Sequence, residues 1–483
     1  MTDWDFTPPP SSALSDHAVE LEGEHLAGKR VALLLSGGIA CIKAPQLARA
    51  LRRQGAEVTA FLSEEALRYT TVDALEWCTD RPAVVRLTAQ AEHLSDRAPF
   101  DAYLVAPATY NTINKLRHGI ADGVVASVLA SALGRMERGR CAVLVAPTMH
   151  GTMHTAILTE SLRWLSAHGV RVVPPREAHG KHNLPDEDVL VAEVCRATSR
   201  SRLKGAPILV TGGPTPAPID SVRRIVTRFT GQLGFEIARE LHLRGADAHL
   251  VMGGAGLVPP AWLPHEIAAT YDDYLRQVLA RLAARPTRCG IFSAAVADYR
   301  PETVHPGKIP SGGALKEIKL VQTLKVVDEV RKAHPGLHMV TFKYMEGIAH
   351  EALIELARER LRRGDKLVVA NRGEETGPAG EQVAHPWRRK ARRVASSASA
   401  PSPWPWRTTS KRPCPPERVA AATRGMMRGR RSHGRPSRGP RRIQAGGGRT
   451  RSAPDPRRGC QECLTNRPRC LRAASGSARR SRG

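Results

Sequence analysis

Two short stretches of this 483-residue chain carry residue types that hold anionic ligands. Ser36-Gly37-Gly38-Ile39-Ala40 lies between an apolar run and a segment of helical spacing. A turn of that kind offers free backbone N–H groups and the positive end of a helix dipole, and glycine lets a phosphate come close. Pro107-Ala108-Thr109-Tyr110-Asn111 sets hydroxyl and amide groups after a second apolar run, where ligand crevices open in α/β sheets. Further on, Thr211 runs into Gly212-Gly213, and Lys308 stands between Asp298 and the Pro310-Ser-Gly-Gly313 loop. On its own Lys308 is an exposed loop lysine, and that placement points it toward function. A lone His93 has the pKa range for proton transfer near neutrality, yet by its own context it reads as a solvated loop histidine.

These loops need a sheet to hold them. Arg30–Ser36 is a short apolar run suited to a buried parallel strand. Residues 41–54 follow with helical spacing (Ile42, Leu47, Ala50, Leu51) and stop at Gly55, and Glu57–Leu62 is the next strand. Further strands are predicted at Ala102–Ala106, Cys141–Ala146 and Val170–Val173. After a polar connector the pattern restarts, with strands at 207–211, 248–252, 289–296, 339–342 and 366–370 and a helix from Gly231 to Arg244. The expected fold class is α/β, with two doubly wound Rossmann-like domains. The expected boundaries are a disordered leader over 1–28, a first domain over 29–198, a linker over 199–206, a second domain over 207–385 and a tail over 386–483.

Charge separates body from tail. Residues 386–483 hold 27 Lys and Arg against 3 Asp and Glu, so the net +27 of the chain belongs almost wholly to them. The nearly neutral body is not that of a nucleic-acid-coating protein. Five cysteines, at 41, 78, 141, 195 and 289, are scattered through the body without a C-x-x-C pair, the usage of a cytosolic protein. No basic-then-apolar signal opens the chain and no apolar run is long enough for a membrane span, so a cytoplasmic location is expected.

The tail has no Phe or Tyr, 12 prolines, and arginine at 25 of its basic positions. Such a segment cannot bury enough apolar area to fold, and its composition is what a GC-rich gene yields when read in a wrong frame. Cys460-x-x-Cys463 with Cys470 reads as chance cysteines there. Glu381–His385 begins a strand that Pro386 and the cations after it are expected to terminate, leaving the second sheet incomplete.

Several of these stretches resemble a known family. Ser36–Ala40, His93, Ala106–Lys115 and His118-Gly-Ile-Ala-Asp122 are similar to the flavin-containing cysteine decarboxylases. Thr211–Thr215, Ile219–Arg223, Gly231-Gln-Leu-Gly234, Ala294–Pro301 and Gly307-Lys-Ile309 are similar to phosphopantothenate–cysteine ligases. In this order the two halves look like the bifunctional decarboxylase–ligase of coenzyme A biosynthesis. The resemblance implies that the second half condenses 4'-phosphopantothenate with cysteine through an acyl-cytidylate formed from CTP, with Mg2+ arriving on the triphosphate. It implies that the first half uses FMN to decarboxylate 4'-phosphopantothenoylcysteine by way of a thioaldehyde.

Residue by residue, the resemblance makes His93, Lys308 and Arg223 catalytic. It puts FMN against Ser36, Gly37, Gly38, Ile39, Ala40, Ser63, Pro107, Thr109 and Asn111. It puts substrates against Met149, His150, Met153, Ala294, Asp298, Phe342, Arg360 and Arg363. It also implies a homo-oligomer acting on small molecules, with no membrane and no specific nucleic acid as partner.

The chain departs from the pattern at several points. His150 replaces an asparagine, and Arg176–Pro185 lacks the reactive cysteine of the family's substrate clamp, leaving Lys181 or His182 as proton donor. Thr227 and Gln232 replace an asparagine and a lysine, and Pro310-Ser311 replaces a lysine-rich run. Two other readings stand beside this one: a ligase with a catalytically weak flavin-binding half, and non-specific nucleic-acid binding through the tail.

Overall fold

The computed structural model describes residues 6–8, 10–94, 98–312, 317–375 and 383–388. Its first sheet consists of β1 (Arg30–Leu35), β2 (Glu57–Leu62), β3 (Ala102–Ala108), β4 (Ala142–Pro147) and β5 (Arg171–Val172). All pair in parallel, in the order β2-β1-β3-β4-β5. Side chains alternate between the two faces of β1. Val31, Leu33 and Leu35 enter one core, Ala32 and Leu34 the other. A strand buried on both faces must be apolar throughout, which is why these runs read so clearly.

Helices return the chain between the strands. They are α1 (Ala44–Arg53), α2 (Val72–Thr79), α3 (Tyr110–His118), α4 (Val124–Glu137), α5 (Ala156–Ala167) and α6 (Glu187–Thr198). Threonine side chains cap three of them: Thr71 on α2, Thr109 on α3 and Thr155 on α5. The helix expected from residue 41 begins instead as a 3-10 turn over Ile39–Lys43, and α1 starts where Pro45 occupies the first turn.

The second sheet is built from β6 (Pro207–Gly212), β7 (Asp247–Gly253), β8 (His265–Ala268), β9 (Cys289–Phe292), β10 (His338–Met345), β11 (Leu367–Arg372) and β12 (His385–Arg388). The order is β8-β7-β6-β9-β10-β11-β12, with only β12 antiparallel. Helices α7 (Gln232–Leu243), α8 (Tyr271–Ala284), α9 (Val326–Ala333) and α10 (His350–Arg362) cover it. This is the dinucleotide-fold order, whereas the first sheet has the flavodoxin-like order. In the first the order reverses between β1 and β3, in the second between β6 and β9.

The structure corrects three expectations. Strand β9 stops at Phe292, short of Val296, because Ser293 and Ala294 turn to bond the end of β6. The leader is docked well before residue 29: Leu26 is fully buried and its N–H donates to the Gln54 carbonyl at 2.8 Å. Pro386 does not end the last strand either. It pairs opposite Val369 in β12, on the sheet's edge, where a missing ladder N–H costs nothing. Residues 389–483, the rest of the predicted tail, lie outside the described residues.

The two halves join through the final turns of α6 and α7. Arg196 Nη1 donates to the carbonyls of His242 (3.0 Å) and Ala246 (2.7 Å), and Ser199 Oγ donates to Arg244 O at 2.7 Å. Both helices run against their strands, so this junction sits at the N-terminal edges of the two sheets. His25 pairs with Glu240 beside it at 3.1 Å.

Burial first, and then the Arg196 charge, push His242 down to about 4 from an ordinary value of 6.5. The folded protein therefore keeps this ring neutral where the unfolded chain takes up a proton. Stability from His242 is complete above about pH 6.5 and is lost as pH falls toward 4. Glu240 lies lower: burial raises it, but His25 and Arg244 outweigh that and hold it at about 2. The thermal midpoint should accordingly fall between pH 7 and pH 5, and His242→Gln should flatten that fall. An identical pH slope in the variant would exclude His242 as the titrating group.

Candidate active sites at two sheet switch points

At the β1/β3 switch point one buried hydroxyl ties the two diverging loops. Ser36 Oγ donates to Pro107 O at 2.7 Å and accepts from Thr109 N–H at 3.1 Å. Gly37 is needed for space, since a Cβ there would stand 2.3 Å from Glu65 Cβ. Gly38 opens the 3-10 turn with no side-chain cap, which leaves N–H groups at its start for an anion. Beside this cradle Ile39 and Ile42 are 67% and 59% exposed. Exposed branched apolar residues next to an anion cradle suit a ligand with a flat apolar body and a phosphate.

Ser63 follows β2; its N–H donates to Leu35 O at 3.0 Å and its hydroxyl caps the turn Glu64–Arg68. Asn111 is exposed in the first turn of α3, next to the capping Thr109. These residues fit a flavin mononucleotide.

Beyond β4 a small antiparallel sheet, Met149–His150, Lys181–Asn183 and Arg176–Ala178, forms a hairpin clamp turned by His179 and Gly180. Met149 is buried opposite His182, and Met153 is exposed. His150 spends its Nδ1 on capping, accepting from Thr152 N–H at 3.2 Å. His154 Nδ1 stands 2.6 Å from His182 Nε2, and His182 lies in the stretch where the resemblance led to the expectation of a cysteine. Lys181 points outward by comparison and is exposed.

Burial pushes the Cys41 and Cys78 thiols up, Cys141 up to about 11 and Cys195 up to about 12. His93 lies in a turn after the segment that pairs at Val84 with Phe61. Its Nδ1 is buried without a hydrogen-bond partner among the described residues.

At the β6/β9 switch point the loops are zipped together. Ser293 Oγ donates to Thr211 O at 2.6 Å, Ala295 N–H to Gly213 O at 3.0 Å, and Ala297 N–H to Thr215 Oγ1 at 2.8 Å. Gly234 in α7 lies against Gly212, where a Cβ would meet the Gly212 Cα at 2.6 Å. The helix thus packs tightly onto the turn it follows.

Lys308 and Arg223 are brought together through Asp220. This buried carboxylate accepts the N–H groups of Val222 (2.8 Å), Arg223 (2.6 Å) and Ile309 (3.1 Å), and Arg223 Nη1 at 3.1 Å. Burial raises its pKa, but those donors prevail and hold it at about 2. The Lys308 loop is also bonded by His305 N–H to Ile219 O at 2.9 Å. Lys308 itself is exposed. Sequence reading quoted this stretch and passed over Asp220, although an aspartate two and three residues before the amides it binds is the spacing of an Asx turn.

Asp298 follows the anchored Ala297 and pairs with Lys325. Lys343, adjacent to Phe342 on β10, is pushed down by burial first and then by Arg360 and Lys325, against Asp298. Arg360 donates to Phe342 O at 3.0 Å. Lys343 thus feels Arg360, Lys325 and the Asp298 carboxylate where β10 runs on past the end of β9, and Arg360 feels Asp365 and Asp328 as well. Lys325 and Lys343 were not predicted. Arg363 is not part of this group: its guanidinium pairs with Glu359 on its own helix. Ala294 lies in the zipped loop, Thr227 buries a hydroxyl without a hydrogen-bond partner among the described residues, and Gln232 bonds Glu236 at 2.9 Å.

Comparison with known proteins matches each half to a family. Residues 20–199 match the Flavoprotein family, and residues 203–385 match the DNA/pantothenate metabolism flavoprotein C-terminal domain. The coenzyme A biosynthesis bifunctional protein CoaBC of Thermococcus kodakarensis is 34% identical over 353 residues, covering 72% of this chain and 86% of the relative. The Escherichia coli K12 protein of the same name is 30% identical over 367 residues, with 72% and 86% covered. Among solved structures, the DNA/pantothenate metabolism flavoprotein from Streptococcus pneumoniae aligns at 25% identity and a TM-score of 0.34, over 38% of this chain and 89% of that one. With both halves matched in the same order along one chain, the protein belongs to the family of coenzyme A biosynthesis bifunctional proteins.

Proposed function

We propose that the second half condenses 4'-phosphopantothenate with cysteine at the expense of CTP, and that the first half decarboxylates the product with FMN. The observation that carries this reading is the succession of two prepared switch points on one chain, an anion cradle with an apolar flank and then a cation-rich crevice. We place the protein in the cytoplasm, as a homo-oligomer acting on small molecules without membrane or specific nucleic-acid partners. Among the described residues no helix is long and apolar enough to cross a membrane.

In the ligase half a substrate carboxylate oxygen attacks the α-phosphorus of CTP and pyrophosphate leaves. The cysteine amine then attacks the acyl carbon and CMP departs. Charge grows on phosphate oxygens in the first step, and fixed cations are what stabilise it. Lys308 and Arg223 supply two, held by the Asp220 bonds, while Lys325, Lys343 and Arg360 receive the rest of the triphosphate. Magnesium travels with the nucleotide, and Asp298 is the carboxylate beside it.

In the decarboxylase half, Gly38, Ile39 and Ala40 hold the FMN phosphate, and Ser63, Thr109 and Asn111 offer polar contacts. Bound there, the flavin supplies reversible two-electron chemistry at the substrate thiol. His93 takes the thiol proton. His182, backed by His154, returns a proton in place of the absent cysteine; with their nitrogens 2.6 Å apart, one ring donates and the other accepts. The same missing thiol favours a second reading, in which only the ligase turns over and the flavin half is slow.

Four experiments test these assignments. Protein incubated with FMN and desalted should keep flavin absorbance, and His93→Asn should keep it while losing decarboxylation; a colourless protein removes the flavin assignment. His182→Ala should slow decarboxylation ~100-fold with flavin still bound, the usual scale for one general acid. An equal rate would return that role to Lys181 or to no side chain. Lys308→Gln should slow cysteine-dependent CMP release ~100- to 1000-fold. Asp220→Asn should raise KM for CTP more than it lowers kcat, because it loosens the loop without touching the reacting atoms.

A further inference from the structure

A cluster outside both sites carries a chemistry that neither reaction uses. His350 is the first residue of α10, Glu375 follows the end of β11, and His385 is the first residue of β12. His350 Nδ1 lies 3.0 Å from Glu375 Oε1, and His385 Nε2 lies 2.7 Å from Glu375 Oε2. One ligand atom from each residue falls within 4.8 Å of the others, and all three side chains are partly exposed. The two imidazole rings meet edge to face, 4.7 Å between centroids, so both present ring nitrogens to the same carboxylate.

We propose that His350, Glu375 and His385 bind a zinc-type divalent transition metal ion, with solvent completing its coordination. Two imidazoles and a carboxylate form an established zinc ligand set, and a fourth position is normally left to water. A tetrahedral ion about 2.0–2.2 Å from each donor keeps the donors about 3.3 Å apart, so the two contacts at 3.0 and 2.7 Å open slightly while the widest separation, within 4.8 Å, closes. Among the described residues the cation competing for the carboxylate is Arg372, whose Nη1 stands 3.2 Å from Glu375 Oε1. It has a second acid, Glu374, with 3.7 Å between Nε and Oε2, and can shift toward it.

Ligand type separates this ion from the one that accompanies CTP. Imidazole selects zinc, cobalt or nickel, whereas magnesium prefers oxygen ligands. The ion joins a helix start, a loop start and an edge strand, beyond the small apolar cluster in which Leu353, Ala357, Leu361, Val368 and Ala370 pack with Trp387. Its role is to fasten the antiparallel edge of the second sheet.

The test uses the full chain, stripped with chelator and titrated with Zn2+ or Co2+ alone. One Zn2+ per chain should bind, the thermal midpoint should rise on binding, and Co2+ should give the visible absorption of a tetrahedral site without thiolate charge-transfer bands. His350→Ala and His385→Ala should each weaken Zn2+ binding at least 10-fold. Glu375→Gln, which preserves size and hydrogen bonding, should do the same and covers the case in which a histidine variant does not fold. Charge-transfer bands would place the metal on cysteines such as Cys460 and Cys463 and overturn the proposal. So would unchanged affinity in all three variants, or no retention by the wild-type chain, which would leave the cluster a hydrogen-bonded triad.

Discussion

A parallel strand whose two neighbours send their connections to opposite faces of the sheet leaves a gap at its carboxyl end that side chains must close. Here the closing is done by hydroxyls. Ser36 joins the β1 and β3 loops by giving one hydrogen bond and taking another. Ser293, Thr211 and Thr215 do the same between β6 and β9. With those groups internally satisfied, the turn after Gly38 begins without a side-chain cap, and the second crevice gathers cations that are themselves paired, Arg223 with Asp220 and Lys325 with Asp298. The two sites are therefore products of the same constraint, and their different chemistry comes from what surrounds the gap: branched apolar residues in one case, lysines and arginines in the other.

Rigidity in the ligase half rests on groups that never meet a substrate. Asp220 is the clearest. A carboxylate surrounded by four donors is fixed in charge and in place, and it fixes in turn the loop that carries Lys308. Gly212 and Gly234 do comparable work through absence, because the backbone of α7 can approach the turn only where neither residue has a side chain. Loops set this firmly can hold charges in advance of the reaction, which is where electrostatic catalysis gets most of its effect.

The sequence disclosed the strands best, for a physical reason: burial on both faces leaves no polar position along runs such as Arg30–Leu35 or Pro207–Thr211. Strand order was less legible. Adjacency along the chain does not say on which side of β1 the strand β3 will pair, so the distinction between a flavodoxin-like and a dinucleotide-like order came only with the structure. Leu26 was missed because one buried leucine in a polar segment has no periodicity to announce it. Pro386 misled because its cost depends on edge or centre, which composition does not encode. The glycine turns, His93, Lys308 and Arg223 drew notice as motif residues, whereas Lys325 and Lys343 come near Asp298 only through the convergence of segments far apart in the chain.

The junction between the halves has a bearing on traffic between them. It is made by the last turns of α6 and α7, at the N-terminal edges of both sheets, while each crevice opens at a C-terminal edge. Arg196 and Ser199 pin the connecting segment to α7, so it cannot serve as a swinging arm. The contacts that join the halves therefore lie away from both crevices, and hand-over of an intermediate does not run through the Arg196 and Ser199 junction.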